Sequence, residues 1–271
     1  MKKHGIRSQG WLLAGAGLLF ASSPAGAQET GAAQASNADE LAKRLSNPIA
    51  ALISVPSQYN YDETFGDDGS RHTLNIQPVI PVSISEDWNL ISRTILPIIS
   101  QDDVIPGTDQ SGAGDIVQSI FFSPKAPTAS GLIWGVGPAA ILPTGSDDFS
   151  ADTWAAGPTA VVLKQEGKWT IGGLANHLED FSGDAEISAT FVQPFLSYAL
   201  GKGRTLGFNT ESTYDWEGEQ WTVPVNVTFS QVTKIGSQLV SIGGGVRAYL
   251  EAPSGGPDWG VRLIFTLLYP K

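Results

Sequence analysis

The 271-residue chain is 41% hydrophobic and only 16% charged, with no cysteine and a formal net charge of −11. Without cysteine there is no disulfide framework, no thiolate metal site and no cysteine nucleophile. The acidic balance argues against a nucleic-acid partner, which needs a basic face, and no run approaches the roughly 18 consecutive apolar residues of a membrane-spanning helix.

At the N-terminus Lys2, Lys3 and Arg7 precede a short apolar core from Trp11 to Ala21, followed by Ala25-Gly26-Ala27. This pattern predicts a signal peptide over 1–27, cleaved after Ala27, and export from the cytoplasm. Residues 28–40 are small and polar, and 28–50 read as a flexible lead-in with a short helix. Within them Asp39 to Leu45 predicts a short helix stopped by Asn47-Pro48.

From residue 51 to the end, runs of about ten residues alternate apolar with polar positions, the rhythm of a transmembrane β-barrel. The clearest is 221–230, where Trp221, Val223, Val225, Val227 and Phe229 alternate with Thr222, Pro224, Asn226, Thr228 and Ser230. Similar runs occupy 73–84, 204–214, 240–251 and 262–269. Weaker ones lie near 52–61, 88–100, 115–123, 131–144, 153–164, 168–178 and 187–200. The fold class predicted is all-β: a transmembrane antiparallel β-barrel of about 12 strands behind a short N-terminal periplasmic segment, the even count that bacterial outer-membrane barrels require.

The connections between runs sort by charge. Those at 62–70, 101–115, 145–152, 179–186, 215–219 and 251–258 hold 20 of the 27 acids and neither Lys nor Arg. The alternate connections, mostly shorter, carry six bases and three acids. A barrel in a membrane has two rims facing different compartments, and its long loops are the extracellular ones, so the acidic rim is expected to face outward. Trp and Tyr agree. Trp88, Trp134, Trp169, Tyr198 and Tyr269 fall at one set of strand ends. Tyr59, Tyr61, Trp154, Tyr214, Trp216, Trp221 and Trp259 fall at the other, as two interfacial girdles would. Eight prolines, from Pro78 to Pro224, lie inside proposed strands, although a closed barrel has no edge to host them.

Arg93, Asn209, Glu211, Asn226, Arg247 and Arg262 fall on the lumen-facing alternation. An Arg facing lipid at the midplane costs about 2–4 kcal/mol in a barrel, so these residues are expected inside. They form either a constriction that orients a solute or a salt-bridge network that plugs the lumen. Ile91 and Ile95, on the face of Arg93, favour a partly hydrophobic passage.

Catalysis has thin support. After the signal peptide only His72 and His177 remain, and no Gly-x-Ser-x-Gly elbow occurs. Gly243-Gly244-Gly245 lacks the Lys-Ser/Thr of a phosphate loop. Asp67-Asp68, Asp102-Asp103 and Asp147-Asp148 lack EF-hand spacing and read as solvated surface. No catalytic residue, metal ligand or cofactor is expected.

Several segments together resemble a known family: Leu41-Ala42-Lys43 with Asn47-Pro48; Leu52-Ile53-Ser54-Val55-Pro56; Asn75-Ile76-Gln77-Pro78-Val79-Ile80-Pro81; Glu86-Asp87-Trp88-Asn89-Leu90-Ile91; Gly114-Asp115-Ile116; Trp134-Gly135-Val136-Gly137-Pro138; Gln193-Pro194-Phe195; Trp221-Thr222-Val223-Pro224-Val225; and Gly256-Pro257-Asp258-Trp259. They resemble outer-membrane β-barrel proteins called "transporter", related to proteins ascribed to meta-pathway phenol degradation and sometimes mislabelled neuromedin U. The resemblance extends to the prolines. It implies an outer-membrane barrel with an uptake role, and carries over no site residues. Asp258, Gly260, Leu263 and Phe265 fit the spacing of a barrel-assembly signal, after which the chain continues to Tyr269-Pro270-Lys271.

The expectation is therefore passive uptake of small, aromatic or apolar solutes across the outer membrane of a Gram-negative bacterium. The expected partners are outer-membrane lipid, the barrel-assembly machinery acting through the C-terminal strand, and the solute. The alternatives are a structural or adhesive barrel, or a membrane-embedded hydrolase.

Overall fold

A computed structural model describes residues 37–270 except 66, 67 and 184, so the expected signal peptide lies outside the described residues. The strands are β1 (Ile53–Phe65), β2 (Gly69–Ile76), β3 (Val79–Ser83), β4 (Trp88–Asp102), β5 (Asp109–Ala113), β6 (Ile116–Pro124), β7 (Leu132–Leu142), β8 (Trp154–Glu166), β9 (Trp169–Ser182), β10 (Ser188–Gly201), β11 (Arg204–Thr210), β12 (Ser212–Asp215), β13 (Gln220–Ile235), β14 (Gln238–Glu251) and β15 (Trp259–Tyr269). Three staves are interrupted, giving the pairs β2/β3, β5/β6 and β11/β12, so these segments make a barrel of twelve antiparallel staves. Pairing of β1 with β15, from Ile53↔Tyr269 to Glu63↔Trp259, closes the ring.

Alternation along each stave sends one set of side chains inward and the other to the membrane. In β6, Ser119, Phe121 and Ser123 are buried inside, while Phe122 is exposed outside. An outer band of exposed apolar side chains, including Val136, Val162, Phe229, Val246 and Leu263, presents a surface suited to hydrocarbon rather than water. Aromatic pairs flank it: Trp88 with Trp134 and Trp169 with Tyr198 at one end, Tyr214 with Trp216 and Trp221 at the other.

The two ends differ. One carries tight turns, with Glu166↔Trp169, Gly201↔Arg204 and Ile235↔Gln238 as pairs closing two-residue hairpins. The Lys202-Gly203 turn has positive φ at both positions, 57° and 73°. That is the type I′ geometry matching strand twist, and Gly adopts it without penalty. The other end carries the long acidic connections, held by defined contacts. Asp115 accepts hydrogen bonds from the backbone N–H groups of Thr144, Gly145 and Ala151 and from Ser150 Oγ, tying the loop after β7 to the wall.

Residues 37–52 include the short helix expected at Asp39 to Leu45 and seat it in the barrel. Residues 37–45 form a helix, with Asp39 and Glu40 in its first turn and Lys43 and Arg44 in its last, the order the helix dipole favours. An Arg44–Glu40 ion pair spans one turn. Pro48 lies just beyond the helix end, where it cannot continue the helix, and Asn47 Oδ1 accepts the Ile49 N–H at 3.0 Å. The segment sits in the turn end of the barrel. Leu41, Ala42 and Leu52 pack on Val232 and Leu268, and Ile49 packs on Ile91, Phe121, Val161, Leu163 and Leu174. Gly203 N–H donates to Asp39 Oδ1, and Gln165 Nε2 donates to the Lys43 carbonyl at 2.8 Å. Half of residues 37–52 are apolar, and Leu41, Ala42, Ile49 and Leu52 are the ones buried against the barrel.

Five of the eight in-strand prolines flank the interrupted staves, while Pro138 and Pro158 pair with each other across the continuous β7 and β8, and Pro81 lies within β3. Gln77 N–H donates to the Pro56 carbonyl, and Pro78 follows within the break. Gly114 N–H donates to the Pro97 carbonyl, and Pro143 follows Leu142, the partner of Ile116. Glu211 N–H donates to the Pro224 carbonyl, while Pro194 lies between the pairs Val192↔Ser212 and Phe195↔Asn209. A proline carbonyl can accept from the break, but its nitrogen cannot donate back. The ladder is one-sided there, and the freed residues are polar: Gln77, Asp115 and Glu211.

Candidate solute passage

The six residues expected in the lumen all point inward, and they form three tiers. The first tier is a row of pairs across neighbouring staves, Asn209↔Asn226, Asn226↔Arg247, Arg247↔Gly260, Gly260↔Asp62 and Asp62↔Arg71. Arg247 Nη1 lies 3.3 Å from Asp62 Oδ2, with the two side chains 8% and 7% exposed. Arg247 Nη2 also donates to Tyr249 Oη at 2.9 Å. The pair spans β15 because residue 260 is glycine. A Cβ there would lie 2.3 Å from the Tyr61 carbonyl oxygen and 2.4 Å from Asp62 Oδ1. Asn226 is fully buried in this tier. Arg71 Nε donates to Gln101 Oε1 at 2.9 Å.

In the second tier Arg262, 2% exposed, clasps Glu211 with both guanidinium ends, at 2.9 and 2.7 Å, and donates from Nε to Asn60 Oδ1 at 2.7 Å. Two-pronged Arg–carboxylate contact is the strongest ion-pair geometry available to side chains. Arg262 reaches Glu211 across two intervening staves, whose facing residues are small: Gly245 pairs with Arg262, and Thr228 pairs with Gly245. Glu211 itself is free to turn inward because its stave is interrupted there.

The third tier is Arg93, whose Nη2 donates to Gln77 Oε1 at 3.0 Å. Around these tiers lie three spaces. A cavity of about 310 Å³ is lined on one arc by Ile95, Val117, Ile141, Leu178 and Phe191, and on the other by Gln58, Asn75, Gln77, Arg93 and Glu211. A second cavity, of about 160 Å³, begins on the other side of Gln77 and Arg93 and follows Arg44, Leu45, Asn47 and Pro48. A third, of about 230 Å³, lies between the helix and the hydroxyl-rich wall of Thr205, Thr228, Ser230, Ser241 and Thr266.

Sequence reasoning thus located Arg262 and Glu211, which meet, and Asn209 and Asn226, which are cross-strand neighbours. Arg247 pairs with Asp62, which the sequence had placed in an outer acidic connection. β1 and β2 extend further than the hydrophobic rhythm predicted, so Asp62 and Arg71 belong to the wall. Asn60, Asp62 and Gln77 were missed. The alternation of Asn60 and Asp62 with Tyr59 and Tyr61 was the available signal.

Both histidines lie on the outer surface, not in the lumen. Tyr59 Oη and His72 Nδ1 are 2.6 Å apart. His177 bridges Thr190 Oγ1 at 2.8 Å and Glu179 Oε1 at 2.7 Å, and Trp216 Nε1 donates to the same Thr190 oxygen at 2.8 Å.

Comparison with known proteins agrees with this architecture. An outer membrane channel from Pseudomonas putida F1 superposes with a TM-score of 0.64 at 15% identity, over 81% of this chain and 96% of that one. The beta domain of the Bordetella autotransporter BrkA gives a TM-score of 0.46 at 12% identity, over 81% of this chain and 100% of that one. No curated protein sequence matches the chain. The family described as "Putative MetA-pathway of phenol degradation" matches residues 73–248. That match covers more than half of the chain, and the chain belongs to that family.

Proposed function

We propose that this protein is an outer-membrane channel for passive passage of small solutes, closed at its turn end by residues 37–52. The observation that carries this reading is a lumen that is neither open nor filled. A cavity of about 310 Å³ and one of about 160 Å³ share Gln77 and Arg93, which hydrogen-bond to each other, in their linings. A purely structural or adhesive barrel can fill its interior with side chains, as eight-stranded barrels do, whereas wide porins leave an aqueous channel. Twelve staves with interrupted walls and an inserted segment fit a narrow, selective path. The mixed lining supports solutes that are partly apolar.

Conductance and liposome-swelling measurements test this reading. The full chain should pass small solutes slowly, and Arg247→Ala should change its selectivity. No passage of ions, sugars or small aromatics, even after residues 37–52 are removed, would favour the structural or adhesive barrel. The location is tested on whole cells. An impermeant thiol reagent should label Ser146→Cys, in an acidic loop, and should reach Ser237→Cys, in a tight turn, only after lysis. The reverse pattern would invert the topology, and a chain free in periplasmic extract would refute membrane insertion.

Among the described residues, the Glu179–His177–Thr190 chain is the arrangement that favours a hydrolase. We read it as an anchor of the outer girdle. The backbone around Thr190 is engaged on both sides, through His177 and Tyr214, which leaves no evident pair of donors for an oxyanion. Phospholipid hydrolysis that is lost in Thr190→Ala would reverse this assignment.

A further inference from the structure

We infer that the 310 Å³ cavity is a binding site for small aromatic monocarboxylates, with the ring on the Ile95–Phe191 arc and the carboxylate on Arg93. The inference rests on the passage reading above and names the solute class for it.

The size and lining fit. An apolar cavity of about 150 Å³ suffices to hold benzene, so about 310 Å³ has room for one ring and a charged substituent. Val117, Ile141, Leu178 and Phe191 form an apolar arc interspersed with Ser119, Asn176 and Gln193, and Phe191 offers an aromatic face. The facing arc supplies the amides of Gln58, Asn75 and Gln77, which can bond a polar group, and the Glu211 carboxylate, whose two oxygens are already clasped by Arg262.

The charges fit as well. Arg71, Arg93, Arg247 and Arg262 share the tiers with only two carboxylates, Asp62 and Glu211. Glu211 is held by both ends of Arg262, and Asp62 is paired with Arg247. Arg93 donates one hydrogen bond, to the neutral Gln77, and its guanidinium lines the cavity. A planar guanidinium with donors to spare is the geometry that recognises a carboxylate. Arg44, on the inserted helix and ion-paired with Glu40, lines the 160 Å³ cavity together with Arg93. The acids of the outer loops do not cancel this preference. Exposed charges are screened over about 10 Å at 0.1 M salt, whereas charges inside the lumen are screened far less.

Titration calorimetry on the detergent-solubilised full chain tests the site, with sodium benzoate, benzamide and sodium acetate as probes. Benzoate should bind saturably. Benzamide, which lacks the charge, and acetate, which lacks the ring, should each bind about tenfold more weakly, as should benzoate to Arg93→Gln, while Arg93→Lys should retain part of the affinity. Equal binding of benzoate and benzamide by the wild type would overturn the inference, whether or not the variants fold. So would benzoate affinity unchanged in a heat-modifiable, folded Arg93→Gln. Bilayer conductance in sodium benzoate separates the two claims. Arg93-dependent binding without any conductance would keep the site and reject passage. Conductance without such binding would keep passage and reject the site.

Discussion

On the turn side of Arg93 the lumen is closed by Leu41, Ile49 and Leu52, apolar side chains of a segment that enters the barrel from before its first strand. On the loop side it is narrowed by Asp62, Arg247, Glu211 and Arg262, charges belonging to the wall itself. The first closure is non-directional and can leave as a unit, because only the start of β1 ties it to the wall covalently. The second is directional, and its members cannot leave without stranding a charge in a poorly solvated place. The chemistry of each closure therefore suggests its role. The apolar one is suited to opening and the charged one to selecting. Moving the charged tiers would cost several kcal/mol per uncompensated ion, whereas each apolar side chain of the insert contributes only about 1.5–3 kcal/mol by its burial.

The largest effect should come from reversing the chemistry of the apolar closure. Ile49 is 4% exposed among Ile91, Phe121 and Leu163. Ile49→Asp places an unpaired carboxylate there, costing several kcal/mol and displacing the insert from its seat. Single-channel conductance should rise roughly tenfold or more, since a shift of a few kcal/mol inverts a docked-to-undocked ratio. Unchanged conductance, with the barrel folded, would mean that the insert is part of the wall and not a stopper.

Next is the charged closure, where stability rather than conductance should respond. Glu211→Gln leaves Arg262, 2% exposed, without its counter-ion. Breaking a buried pair costs about 3–5 kcal/mol, and since Glu211 keeps some access to solvent, the lower end is expected. The double variant Glu211→Leu with Arg262→Met should lose less than the single one, because removing both charges strands neither. Unfolding in urea within lipid vesicles reads the difference. A double variant weaker than Glu211→Gln would show that the clasp stabilises the barrel in its own right.

A smaller effect isolates the geometry of the first tier. Gly260→Ala adds a Cβ against the Tyr61 carbonyl and Asp62 Oδ1, so the Asp62–Arg247 pair must open or β1 must shift. Overpacking of this kind costs about 1–3 kcal/mol. Ion selectivity should change along with stability, whereas a purely local clash would leave selectivity as it was.

Most of the fold was legible in the sequence because a barrel wall writes itself as period-two alternation, and lipid punishes any charge on the wrong face. The same rule identified Arg93, Arg247 and Arg262 as inward. Legibility failed where polar residues occupy both faces of a strand end. Beside the outer girdle, Asp62 and Arg71 looked like loop. The seating of residues 37–52 was hidden for a related reason. Leu41, Ile49 and Leu52 are spaced among alanines and charged residues in too short a stretch to show a period, and the barrel mouth gives them a surface to pack on. The prolines looked like contradictions because sequence shows each alone. The meaning of five of them lies in flanking the interrupted staves, around Gln77, Asp115 and Glu211.

If apolar burial holds the insert, its polar ties should matter little. Asp39 Oδ1 accepts the Gly203 N–H in the turn between β10 and β11, and this tie joins the first turn of the helix to the wall. Asp39→Ala removes one hydrogen bond to a charged acceptor at a half-exposed position, and about 1 kcal/mol is the expected loss. That corresponds to a factor of about five in the population of the seated insert. Conductance should therefore rise several-fold at most, well below the effect of Ile49→Asp, with the barrel's own stability unchanged because no stave pairing is touched. A response to Asp39→Ala as large as that to Ile49→Asp would show that the insert is latched at the turn and merely rests on the apolar cluster. The division of labour between the two closures would then have to be redrawn.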